Sequence, residues 1–165
     1  MSVSAGAASG FRRVGHKGAA SLVEGNTIAS FERAVDVGVD MIEFDVLRLR
    51  DGSPELPPEQ RSPLVVAHDW EDAAARPRLT LETALDAFTR PPLDRVEIDC
   101  DLKLPGREDE LVHALQQRGL VERAMVSTMR RSMAGATTVP WMSMPSPGGM
   151  ALTWAMICIV TAESS

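Results

Sequence analysis

Between residues 11 and 128, short apolar segments alternate with segments whose apolar residues recur at helical spacing, and this alternation constrains the fold more than any other feature. Phe11 to Gly15 reads as a strand ending at His16. Thr27 to Gly38 places Ile28, Phe31, Ala34 and Val35 on one helical face, with Asn26 or Thr27 as cap and Gly38 as stop. Met41–Leu47 reads as a strand. After an excursion containing Pro54, Pro57, Pro58 and Pro63, Leu64–His68 reads as another, either in a hairpin with Met41–Leu47 or beside it. Thr80 caps a helix reaching about Phe88. Arg95–Leu102 is the next main strand, Glu108–Arg118 a helix with acids at its start and Gly119 beyond its end, and Ala124–Ser127 a further strand. Such alternation predicts a parallel sheet covered by helices.

The composition changes after Arg131. Residues 132–162 contain no Asp, Glu, Lys or Arg, and six of the nine Met and two of the three Trp lie after residue 128. Helices and strands of a soluble α/β domain keep a charged polar face. Residues 129–165 are therefore expected to be irregular, or helical without matching the fold, behind a domain of residues 11–128 and an N-terminal tail of residues 1–10. The formal net charge of −6 argues against nucleic acid or an anionic membrane surface as partner. Cys100 and Cys158 form neither a disulfide framework nor a zinc spacing. Met1–Gly10 lacks the basic start and apolar run of a secretory signal. The longest uncharged apolar stretch, Met150 to Ala162, has 13 residues, short of the about 20 that span a bilayer. A cytoplasmic protein without a membrane span is expected.

On Met41–Leu47, Met41, Glu43, Asp45 and Leu47 share one face, and Ile42, Phe44 and Val46 the other. Two carboxylates buried side by side repel and are costly unless a cation lies between them. An all-oxygen donor set suits Mg²⁺ or Ca²⁺ better than zinc. The same pattern also fits an edge strand with its acidic face in water. Asp99 and Asp101 repeat the spacing on the next main strand, with Glu97 in phase before them and Lys103 after them. An ammonium beside a metal can hold a phosphate oxygen, although a surface strand with alternating charge gives the same sequence. His16 and His68 fall at strand ends. There they could act as general base and general acid, or be bystanders, as His113 within its helix is.

In order and spacing, Gly15-His-Lys-Gly18, Glu24-Gly-Asn-Thr27, Ile42-Glu-Phe-Asp-Val46, Arg50-Asp-Gly52, Val65-Val-Ala-His-Asp69 and Asp101-Leu-Lys103 resemble the glycerophosphodiester phosphodiesterase family. The resemblance implies a TIM-type (β/α)8 barrel that cleaves glycerophosphodiesters into glycerol 3-phosphate and an alcohol with the help of a divalent metal, Mg²⁺ or Ca²⁺. It implies His16 and His68 as the acid–base pair, Glu43, Asp45 and Asp101 as metal ligands, and Lys17 and Lys103 as the phosphate-binding pair. The chain departs from the family pattern at three places. Asp101 stands where the family often has Glu, Lys17 where it usually has Arg, and Gly25 precedes Asn26 where the family often reads Glu-Asn-Thr. A full barrel takes about 250 residues, so the expectation is a barrel truncated to about four βα units, with an open apolar face. Two other readings stay open: a non-catalytic fragment that at most binds a metal, and a related phosphodiesterase of the phospholipase type.

Overall fold

The computed structural model describes residues 12–128; the expectations for residues 1–10 and 129–165 lie outside the described residues. The elements in chain order are β1 (Val14–His16), α1 (Ile28–Asp36), β2 (Met41–Leu47), β3 (Val65–Val66), α2 (Trp70–Ala75), α3 (Leu81–Phe88), β4 (Glu97–Leu102), α4 (Glu108–Gln117) and β5 (Ala124–Thr128). The parallel strands stand in the order β1-β2-β4-β5. This is the expected run of parallel strands, joined by helices that bury an apolar stripe against one face of the sheet. Thr27 caps α1 in a capping box with Ser30, and Thr80 caps α3 through the amide of Thr83.

The helix-covered face holds the core. Ile42, Phe44 and Val46 of β2 and Ile98, Cys100 and Leu102 of β4 pack against Phe31, Ala34, Leu85, Phe88, Leu111 and Leu115 of the helices. Phe31, Phe44 and Phe88 form its centre, with ring centroids 5.3–5.6 Å apart. Both β2 and β4 are interior strands, which removes the edge-strand reading of their carboxylates.

Two features depart from the expectations. Strict βα succession is interrupted between β2 and α3. There the Pro-rich segment leads into β3, which pairs antiparallel with the end of β2 (Val46 opposite Val66, Leu47 opposite Val65), the hairpin of the two expected arrangements, and then into α2, which was not expected. Arg107, itself buried, ties the segment down by donating to the carbonyls of Gly52 and Ser62. Secondly, the sheet face that no described helix covers is not apolar. Alternation puts Val14, His16, Met41, Glu43, Asp45, Glu97, Asp99, Asp101, Met125 and Ser127 on it.

Candidate active site

Parallel register decides which side chains meet on that face. His16 stands opposite Glu43, Glu43 opposite Asp99, and Asp45 opposite Asp101. Glu43, Asp45 and Asp101 each present a carboxylate oxygen within 4.8 Å of the other two. Their strands end at Leu47 and Leu102, so the cluster lies towards the C-terminal strand ends, the end that carries the active site in (β/α)8 barrels.

The cluster is held from several directions. Asp45 is fully buried. Lys103 Nζ lies 2.5 Å from both Asp45 Oδ1 and Asp101 Oδ2, and Lys17 Nζ lies 3.4 Å from Asp45 Oδ2. The turn after β1 takes positive φ at Lys17 (54°) and Gly18 (77°). A Cβ at Gly18 would meet the Ser30 carbonyl at 2.6 Å, so that position requires glycine. This turn aims the Lys17 amide at Glu43 Oε2, 2.9 Å away. His16 Nε2 is 3.8 Å from the same oxygen, with its side chain 74% exposed. Glu97 and Asp99 are engaged elsewhere, by Arg12 and by the Ser127 hydroxyl.

Burial pushes the Glu43 carboxyl above its ordinary range, opposed by the Lys17 amide and assisted by the Asp45 charge. Burial acts on Asp45 in the same sense. There it is outweighed by the hydrogen bonds of Lys103 and Asn26 and by the charges of Lys103 and Lys17, so this carboxyl is held below its ordinary range. The two have opposite linkage. Ionised Asp45 contributes stability above its unfolded pKa, and this is lost as pH falls through its folded value. Ionising Glu43 costs stability, a cost absent below its unfolded pKa and complete above its folded one.

These residues fit a hard divalent cation. Three carboxylates against the two ammoniums of Lys17 and Lys103 leave one negative charge uncompensated. Among the described residues, buried Asp45 Oδ1 is met by Lys103 Nζ alone, at 2.5 Å. A carboxylate oxygen with a single partner keeps acceptor capacity, which a cation bound by oxygen donors would use.

His68 stands apart from this cluster. Among the described residues its ring pairs only with Asp69, Nδ1 to Oδ2 at 3.1 Å, and its side chain is 52% exposed. Asn26 was legible only as a possible helix cap, a task Thr27 performs. Asn26 is instead buried at φ 57°, donating Nδ2 to Asp45 Oδ2 at 2.7 Å and accepting the Asp45 amide on Oδ1 at 3.2 Å. Asn tolerates the left-handed region better than most residues, and its position in Glu24-Gly-Asn-Thr27 was the signal available.

Comparison with known proteins gives a consistent result. Residues 16–57 match the model of the glycerophosphoryl diester phosphodiesterase family. A search of curated proteins finds no match. The fold is similar to the crystal structure of a glycerophosphodiester phosphodiesterase from Agrobacterium tumefaciens strain C58 (TM-score 0.56, 19% identity), over 74% of this chain and 58% of that one. It is also similar to the crystal structure of a protein described as a putative glycerophosphoryl diester phosphodiesterase from the same strain (TM-score 0.53, 18% identity), over 74% and 57%. The chain thus spans less than three fifths of either solved protein. None of the described helices is long and apolar enough to cross a membrane. The resemblance read from the motifs holds: residues 16–57 match the glycerophosphoryl diester phosphodiesterase family model, and the described parallel α/β sheet is similar in fold to the two solved structures.

Proposed function

We propose that residues 12–128 form the first half of the catalytic barrel of a divalent-cation-dependent phosphodiesterase, which hydrolyses glycerophosphodiesters to glycerol 3-phosphate and an alcohol. The observation that carries this reading is the meeting of Glu43, Asp45 and Asp101 with Lys17 and Lys103, in a chain whose residues 16–57 match the family. Glu43, Asp45 and Asp101 would hold Mg²⁺ or Ca²⁺, which when bound neutralises phosphodiester charge. Lys17 and Lys103 act as point charges on the non-bridging phosphate oxygens. Of His16 and His68, one removes the proton from water, or from the neighbouring glycerol hydroxyl, as its oxygen bonds to phosphorus; in the second case water opens the resulting cyclic phosphate in a further step. The other protonates the alcohol oxygen as its bond to phosphorus breaks. With Nδ1–H donated to Asp69, Nε2 is the atom through which His68 exchanges its proton. The net charge of −6 favours a small diester over nucleic acid, and the proposed setting is the cytoplasm.

A second reading, in which residues 1–165 alone bind a cation without turnover, is favoured by the exposure of the His16 side chain (74%) and by the 58% coverage of the solved relative. The test of the first reading is a barrel completed by joining these residues to the second half of such a relative, with folding checked by circular dichroism. Release of glycerol 3-phosphate from glycerophosphocholine, abolished by chelation and restored by Mg²⁺ or Ca²⁺, is expected. Release that is indifferent to chelation, or none from a folded barrel, contradicts it.

A further inference from the structure

The one predicted site residue without direct contact to the carboxylate cluster is joined to it by an unbroken hydrogen-bonded chain. The His68 amide donates to Asp72 Oδ2 at 2.9 Å. Arg76, one helical turn further along, donates Nε to Asp72 Oδ1 and Nη2 to Oδ2, both at 3.0 Å. Its Nη2 also reaches the Val66 carbonyl on β3 at 3.4 Å, and its Nη1 donates to the Asn26 carbonyl at 2.8 Å. Asn26 in turn grips Asp45 by both its Oδ2 and its backbone amide. The Arg76 side chain is 10% exposed. One guanidinium therefore spans three segments far apart in sequence: the loop before α1, β3, and the first turns of α2.

We infer that Arg76 is a positioning residue that couples the Asp45 cation site to the placement of His68. This deepens the function proposed above and rests on it. A planar guanidinium with five fixed donors holds Asp72 and two carbonyls at once, and its anchors on the two sides bear on groups of different chemical purpose. Partners of this kind fix the ligands they support, and their loss typically lowers metal affinity about 10–100-fold. Because coupling is reciprocal, filling the carboxylate site must be felt at the His68 backbone.

The test is Ca²⁺ titration of the 165-residue chain, read by calorimetry and by ¹⁵N amide shifts. Saturation is expected to move the His68 amide as well as those of Glu43 and Asp45. Arg76→Met should weaken Ca²⁺ about tenfold and abolish the His68 response while the Glu43 response persists. Asp72→Asn cuts the chain on the His68 side, so it should abolish that response with a smaller loss of affinity. Arg76→Lys should be intermediate, and Arg78→Ala should behave as the parent chain. A parent chain that binds Ca²⁺ without any change at His68 overturns the coupling before any variant is made. A folded Arg76→Met chain with unchanged affinity and an unchanged His68 response overturns it equally. A parent chain that binds no divalent cation defeats the cation-centre reading, and this inference falls with it.

Discussion

Replacing His16 or His68 by alanine, in a closed barrel that carries this front half, is expected to lower glycerophosphocholine hydrolysis by about 10²–10⁴-fold each, the usual contribution of a general acid or base. His16 is placed by register beside Glu43, with Nε2 3.8 Å from its carboxylate. His68 is held at Nδ1 by Asp69 and at its amide by Asp72. Neither ring contributes to the hydrophobic core, so folding should survive both substitutions and the loss should appear in kcat. Steady-state rates with Mg²⁺ or Ca²⁺ present measure this. Full activity in either variant removes that histidine from the mechanism.

The second large effect is expected in the 165-residue chain itself, whose turnover should fall far below the about 1–10³ per second common among enzymes. The chain carries both histidines, the three carboxylates and both lysines, so composition does not limit it. Geometry does. Catalytic groups need placement within about 0.5 Å, and His16 lies on β1, an edge of the described sheet. Its side chain is 74% exposed. Among the described residues no helix covers the carboxylate face, so nothing there fixes the His16 ring against the buried Asp45 centre. Glycerol 3-phosphate release by purified residues 1–165 decides the matter. Turnover in the usual range would show that closure is dispensable and would point to pairing of two halves.

How much of this was legible in the sequence depends on how local each signal is. α1, α3 and α4 could be read because an apolar stripe and a start signal, Thr27, Thr80 or the acids Glu108–Glu110, lie within a few residues of each other. The common face of Glu43 and Asp45 follows from period two, and the pairing with Asp99 and Asp101 from parallel register once the strands are adjacent. α2 was missed because six residues behind an Asp69 cap hold too little periodicity. The antiparallel pairing of β3 is the hairpin, one of the two arrangements the sequence left open; a two-residue strand carries too little signal to choose between them. Arg76 offers in sequence only an i,i+4 spacing to Asp72, common on helix surfaces. Its bonds to Val66 and Asn26 span 10 and 50 residues, contacts that only the assembled fold supplies. The polar character of the open face was written in the strand alternation, yet the assumption of a buried barrel interior pointed to an apolar one.

The account rests on Glu43, Asp45 and Asp101 forming a cation centre, and calorimetric titration of residues 1–165 with Ca²⁺ and Mg²⁺ tests it most directly. One cation per chain is expected. Because the Glu43 carboxyl is held high, binding should release protons and weaken as pH falls through its folded pKa. Asp45→Asn, which removes the charge but keeps the shape, should abolish binding. Cation-independent heats, or an Asp45→Asn chain that binds as the parent does, would contradict the assignment of the site.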